Sequence, residues 1–180
     1  ILIIGKVWKA KSPLELLHLF GDRITSDELN RFFDIAHDIL FEPDPILELP
    51  PDKRFAAQIY GKVRPQSNLL IHSLCDTMVK LAVRGPQVAT LSTANIDNRI
   101  AAFVRDLLQE ADNTRWLSLS PYLTSIAEAA PNAFLSAVET SLTKPDAPIT
   151  QLFAETTGSA IFGRCWYASL LWALETLAWA

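Results

Sequence analysis

The sequence predicts an all-α fold, and three observations carry the prediction. Apolar residues recur at three- and four-residue spacing in one segment after another. Hydroxyl, Asp, Asn and Pro residues stand where those segments begin, as helix N-termini require. No alternating apolar and polar run of five residues or more reads as a strand. Short antiparallel helices of this kind stack into an α-α superhelix of the HEAT or armadillo type, or gather into an irregular helical bundle. Both stay open, because the clearest hairpin, Ser120 to Leu142, has no second copy that aligns with it.

The chain begins with Ile1-Leu-Ile-Ile4. This run is too short for a signal-peptide core and lacks the basic flank and small-residue cleavage site, so it reads as a severed element. Ser12-Pro-Leu-Glu15 places a hydroxyl at the N-cap, proline at the first helical position and glutamate three residues past the cap. That capping box opens a short helix carrying Leu14, Leu17, Leu19 and Phe20, which Gly21 closes. Thr25-Ser-Asp-Glu28 repeats the signal, and Leu29, Phe32, Phe33, Ala36, Ile39 and Leu40 predict an amphipathic helix over 26–41.

Four prolines in residues 42–51 exclude an α-helix and predict an extended linker packed by Ile46, Leu47 and Leu49. It is the strongest internal boundary in what otherwise reads as a single helical domain over 1–180. Asp52 then caps a short helix through Phe55, Ala56, Ile59 and Tyr60, stopped by Gly61. From Ser67 the stripe Leu70, Leu74, Met78 and Leu81, flanked by Ile71 and Ala82, runs to Gly85-Pro86. Residues 86–93 read as a loop. Asn95 caps a helix through Ile96, Ile100, Phe103, Val104, Leu107 and Leu108 that ends near Ala111. Ser120-Pro121 starts a helix over 122–129, and Pro131 starts the next, with Phe134, Leu135, Val138 and Leu142 on its apolar side. Lys144-Pro-Asp-Ala-Pro148 breaks the chain before two more turns over 149–155.

The last stretch, Gly163 to Ala180, holds three of the five tryptophans. At about 100° per residue, Trp166, Leu170, Ala173, Leu174 and Leu177 share one face. Ala168, Leu171, Trp172 and Trp179 crowd the opposite one around Glu175. Only ten uncharged residues separate Arg164 from Glu175. A membrane span takes about 20, so this is a buried or partner-facing helix. With no cap or polar tail after it, the end also reads as a cut through a longer chain.

Of the 180 residues, 49% are apolar and 20% charged, a globular composition that sets aside disordered and fibrous classes. A net charge of −4 gives no overall attraction to nucleic acid or to anionic membranes. Residues 22–52 carry nine acidic groups against Arg23 and Arg31, whereas residues 53–84 carry six basic groups against Asp76. That asymmetry predicts adjoining surfaces that complement each other. Cys75 and Cys165 lie in apolar helical patterns without a CxxC neighbour, as reduced, buried thiols of a cytoplasmic protein do.

The sequence holds no motif for a catalytic, cofactor-binding or metal-ligating set. Gly158-Ser-Ala-Ile-Phe-Gly163 has the glycine spacing of a phosphate loop, but Arg164-Cys165 stands where lysine and a hydroxyl residue are required. His18, His37 and His72 fall on three different helices without metal-ligand spacing. His37 with Asp34 or Asp38 is the one acid–base set a small helical enzyme could use. Lys53, Arg54, Tyr60, Lys62, Arg64 and Arg84 form the set that could meet a phosphate-bearing partner or nucleic acid. The negative net charge favours pairing with residues 22–52 instead. The candidate interaction surface is therefore Trp172, Glu175 and Trp179 on the last helix, with Lys53, Arg54, Tyr60, Lys62, Arg64 and Arg84 as a second group. Self-association through the last helix is the expectation.

Two stretches, Pro50-Pro-Asp-Lys-Arg-Phe-Ala-Ala-Gln-Ile-Tyr-Gly-Lys62 and Leu170-Leu-Trp-Ala-Leu-Glu-Thr-Leu-Ala-Trp179, resemble the helical regions of very large bacterial proteins. Those proteins carry a nucleotide-binding domain elsewhere in the chain and are similar to signal-transducing, STAND-like NTPases associated with defence. The resemblance carries over no catalytic residue. It implies a scaffold or sensor segment whose nucleotide chemistry lies outside these residues and whose partner is the rest of a larger chain or another protein.

Overall fold

The computed structural model describes residues 2–4, 7–155 and 165–179. Among these, a small antiparallel hairpin, β1 (Leu2–Ile4) and β2 (Val7–Lys9), pairs Ile3 with Trp8. Ten α-helices follow. They are α1 (Pro13–Phe20), α2 (Ser26–Leu40), α3 (Asn68–Arg84), α4 (Ala89–Thr93), α5 (Ile96–Leu108), α6 (Asn113–Leu119), α7 (Leu123–Ala129), α8 (Pro131–Thr143), α9 (Gln151–Ala154) and α10 (Ala168–Ala178). The fold is all-α, and none of the helices in the described residues is long and apolar enough to cross a membrane.

At the centre lies α7, which packs on α3 and α10 and also meets α8, while α5 lies against α8 and α3. It buries Leu123, Ile126, Ala127 and Ala129. One contiguous apolar cluster runs from Leu29 on α2 to Ala173 on α10, with Trp116 and Phe134 as its largest fully buried side chains. Ile46 and Leu47 of the proline-rich segment pack against this cluster, and the segment lies on α6. Pro45–Glu48 and Pro51–Ala56 each form a 3₁₀ turn with proline at the start. The Asp44 carboxylate accepts from the Ile46 N–H at 3.2 Å, and the Asp44 N–H donates to Ser118 Oγ at 2.9 Å.

Helix starts follow the sequence unevenly. At α2 the capping box forms: the Glu28 N–H donates to Thr25 Oγ1 at 3.3 Å, and the Thr25 N–H donates to the Glu28 carboxylate at 2.8 Å. Those bonds, the backbone one foremost, hold the exposed Glu28 carboxyl below its ordinary pKa. At α1 the same pattern fails, since the Ser12 side chain caps nothing. That helix buries no residue, and Leu14, Leu19 and Phe20 are exposed, so packing does not hold its first turn in the geometry a cap requires.

Other departures have equally local causes. Gly21 and Gly85 stand at helix ends in right-handed conformation, not the left-handed one expected of a terminating glycine. Their service is closeness. A Cβ on Gly21 would lie 2.9 Å from Val88 Cγ1, and one on Gly85 would lie 2.8 Å from Ile96 Cγ2. On α3 the buried stripe is Ile71, Leu74, Cys75, Met78 and Leu81, and Leu70 is exposed. The stripe turns toward Cys75, a thiol that packs as a small hydrophobe. On α8, Ala137 and Ser141 are buried in place of Leu135 and Leu142, because Ser141 Oγ accepts from the Ile149 N–H at 3.0 Å.

Residues 86–93, expected as a loop, contain α4. The span between Ala111 and Ser120 holds α6, which the periodicity does not announce. There the Asp112 carboxylate caps the helix by accepting from the Arg115 N–H at 2.7 Å. The short helix expected from Asp52 through Tyr60 is instead the 3₁₀ turn Pro51–Ala56 followed by a turn over 57–61, and it leaves Phe55 and Ile59 in solvent.

Thr25→Ala should destabilise the protein by about 1 kcal/mol, the usual worth of an N-cap, measured by urea unfolding at neutral pH. Since the Glu28 pKa is depressed on folding, the contribution of its carboxylate is present above the unfolded-state pKa and fades as pH falls through the folded one. Gly85→Ala should destabilise by roughly 1–3 kcal/mol through overpacking against Ile96, whereas a helix-end glycine free of contacts would gain stability from the change.

Candidate interaction surface

The outer face of the molecule along α10 is built by one-sided packing. The inner face seats Leu170 and Ala173, with Leu174 and Leu177 partly buried against the core. Trp166 is buried just before the helix starts. Thr124 Oγ1 on α7 donates to the Ser169 carbonyl at 3.4 Å, tying the start of α10 to the central helix. On a wheel the inner residues centre opposite Glu175. Around Glu175, which is exposed, Leu171 is 47%, Trp172 63% and Trp179 85% exposed. The division of faces read from the sequence is thus the one observed.

Two further aromatics extend this face. Tyr167 precedes α10 by one residue and lies one turn before Leu171, whose N–H donates to the Tyr167 carbonyl at 3.1 Å. Its ring stacks on Phe153 with centroids 5.3 Å apart, and both rings are exposed. A side-chain hydrogen bond with Cys165, and then the negative charge that residue carries as a thiolate, raises the Tyr167 pKa above its ordinary value. Neither Tyr167 nor Phe153 stood out in the sequence, although Tyr167, Leu171 and Glu175 at four-residue intervals are a readable signal.

The basic group does not form a single surface. Arg54 pairs with Glu155, with only 14% and 7% of the two side chains exposed, and its guanidinium lies over the Trp166 ring at 5.8 Å. Arg64 is turned inward as well, with 5% of its side chain exposed. Its Nη1 donates to the Ile39 carbonyl in the last turn of α2 at 3.2 Å, and its Nε lies 3.8 Å from the Asp44 carboxylate. Lys62 pairs with Glu48. The pairs Lys62–Glu48 and Arg64–Asp44 join residues 53–84 to residues 22–52, as the charge asymmetry predicts. Lys53 and Tyr60 stay exposed in the 51–61 segment, whereas Arg84 lies at the far end of α3, where its Nη1 donates to Gln87 Oε1 at 3.4 Å.

The remaining candidates fall apart spatially. His37 is 59% exposed, stacks on Phe41 at 4.0 Å and has Nδ1 3.8 Å from the Asp38 carboxylate, in an open position along α2. Asp34 and Asp38 are exposed too. Grooves of about 480 Å³ beside Thr25 and Thr90, and of about 300 Å³ beside His18 and Arg84, include none of the three. Among the described residues no three His, Cys, Asp or Glu side chains gather as metal ligands. The stretch Gly158–Gly163 lies outside the described residues. Compared with protein-family profiles, with curated proteins and with solved structures, the chain finds no match.

The thiols differ from expectation. Cys75 is buried, and burial, aided by the charge of Asp76, pushes its pKa up to about 12. Cys165 is exposed and precedes the helix, contrary to the buried thiol expected from its apolar neighbours, because the chain at 165 has not yet entered α10. A disulfide-exchange reagent at neutral pH should therefore modify Cys165 quickly and reach Cys75 only on unfolding, with Cys165→Ser removing the fast phase.

Proposed function

We propose that this chain is a non-catalytic helical interaction module, a scaffold or sensor-type segment of a larger cytosolic bacterial protein, and that it meets its partner through the outer face of α10. The observation that carries the reading is the exposure of Leu171, Trp172 and Trp179 on a helix whose other face is seated in the core. Tryptophan and tyrosine are the residues that dominate binding energy at protein interfaces. Each exposed tryptophan forgoes a few kcal/mol of burial at about 25 cal/mol per Å², and a contiguous apolar face of this kind marks an interaction site.

Two features favour this reading over the others. A small enzyme using His37 with Asp34 or Asp38 needs a concave site that excludes water, and these three residues stand in solvent. A nucleic-acid surface needs its cations outward, and Arg54 and Arg64 point inward to Glu155, Ile39 and Asp44. The succession of short packed helices, α7 and α8 foremost, suits a superhelix of the HEAT or armadillo type. In that arrangement any nucleotide chemistry belongs to residues outside these 180.

A photoreactive phenylalanine analogue placed at Trp172 tests the reading. Irradiation in cells should give discrete protein adducts at Trp172 and not at Arg105, an exposed position on α5 used as the control. Equal labelling at the two positions overturns it.

A further inference from the structure

We infer that the partner seated on the outer face of α10 is a second copy of the same chain, its α10 lying antiparallel on the first about a two-fold axis that passes beside Glu175. This rests on the interaction-module reading above and names the partner of that surface.

The area is the first observation. Aromatic side chains carry 150–250 Å² each, so Trp172, Trp179, Tyr167 and Phe153 at their observed exposures, with Leu171, present on the order of 600 Å², of which roughly 450 Å², from Trp172, Trp179 and Leu171, lies along the length of α10 that an antiparallel copy covers. Two such covered faces give roughly 900 Å² of buried surface, the size of a weak, transient interface. A dimer held by this face alone is therefore a weak, reversible one.

The second observation is the order of residues along the face. A two-fold interface must match itself when reversed, because each patch meets its own copy. Trp172 lies three residues before Glu175 and Trp179 four residues after it. Read from either end, the face runs indole, carboxylate, indole over about 10 Å of helix axis. Laid antiparallel at the 8–10 Å spacing of packed helices, Trp172 of one copy falls beside Trp179 of the other at both ends. Leu171, Tyr167 and Phe153 flank the contact. The arrangement also places the two Glu175 carboxylates near each other at the axis.

That juxtaposition gives the inference its particular signature. α10 packs on α7 and the Ser120–Tyr122 turn through its inner face, and Glu128 is the charged residue of α7. Glu175, on the outer face, therefore meets its own copy. Two like charges at about 7 Å repel by about RT even at the dielectric constant of water, a factor of about three in the dimerisation constant at low salt. Removing the charge tightens the dimer, where at an interface with a cation on the other side it would loosen it.

Sedimentation equilibrium of the chain at low ionic strength, from low to high micromolar concentration, is the test. The wild-type chain should dimerise, Glu175→Gln should dimerise about threefold more tightly, and an equimolar mixture of wild type and Glu175→Lys should associate more tightly than either alone. The double substitution Trp172→Ser with Trp179→Ser should abolish association while the helical circular dichroism is kept. If that variant misfolds, the two Glu175 variants, which alter only an exposed side chain, still decide the matter. A monomer throughout overturns the inference, as does a dimer whose strength Glu175→Gln lowers or leaves unchanged. A monomer combined with Trp172 adducts to a different protein removes the second copy and leaves the interaction-module reading in place.

Discussion

The seating of α7 between α3, α8 and α10 is the constraint on which the rest of the structure depends. A seven-residue helix has no stability of its own in water, so its conformation is supplied by its neighbours. Leu123 and Ile126 are fully buried, as is the small Ala127, which brings the neighbouring backbones close. Because α7 is covered by α3 as well as by α10, α10 has one side left to give the core. The exposed indoles are a consequence of that layering, since Ala168–Ala178 is apolar around most of its circumference and the core takes up less than half of it.

Charge plays a different part. The Arg54–Glu155 pair joins the 51–56 turn to the end of α9 across about a hundred residues of sequence, and both side chains are largely out of water. A buried pair of this sort is weak evidence for net stability, since desolvation offsets much of the attraction, yet losing one partner strands the other. Its effect is to fix where the proline-rich region lies. Arg64 acts in the same way. It satisfies a carbonyl in the last turn of α2, where the helix dipole favours a cation, and it sets the 62–67 loop against Asp44. The basic group that reads as a surface in the sequence is thus partly a set of internal ties.

What the sequence makes legible follows from how local each signal is. Thr25 with Glu28, Ser67, and Pro131 mark helix starts because capping depends on three or four adjacent residues. The two faces of α10 are legible because that helix has one neighbour layer, so a single wheel describes it. The reading fails where packing comes from several directions. In α6 four consecutive residues, Trp116 to Leu119, are buried, a pattern with no single apolar stripe and hence no periodicity to detect. It fails again where small residues carry the contact, as Cys75, Ala137 and Ser141 do, and where a glycine serves a neighbour distant in sequence, as Gly85 serves Ile96. The inward turn of Arg54 was illegible for the same reason, since Glu155 is distant in sequence.

Glu175 brings these strands together. A carboxylate in the middle of an otherwise apolar helix face is a poor choice for maximal affinity, because burying it unpaired is costly. In an exposed face it has a second effect. Without it, some 600 Å² of aromatic and aliphatic surface would be free to meet any apolar patch in any orientation, the condition that favours non-specific association. With it, the arrangements that survive are those in which the carboxylate keeps contact with water or meets a cation. An antiparallel pairing of short helices, open to solvent on both sides of the axis, leaves that contact while bringing the indoles together. On the interaction-module proposal, affinity is given up for a restricted geometry, as reversible association of defined orientation requires.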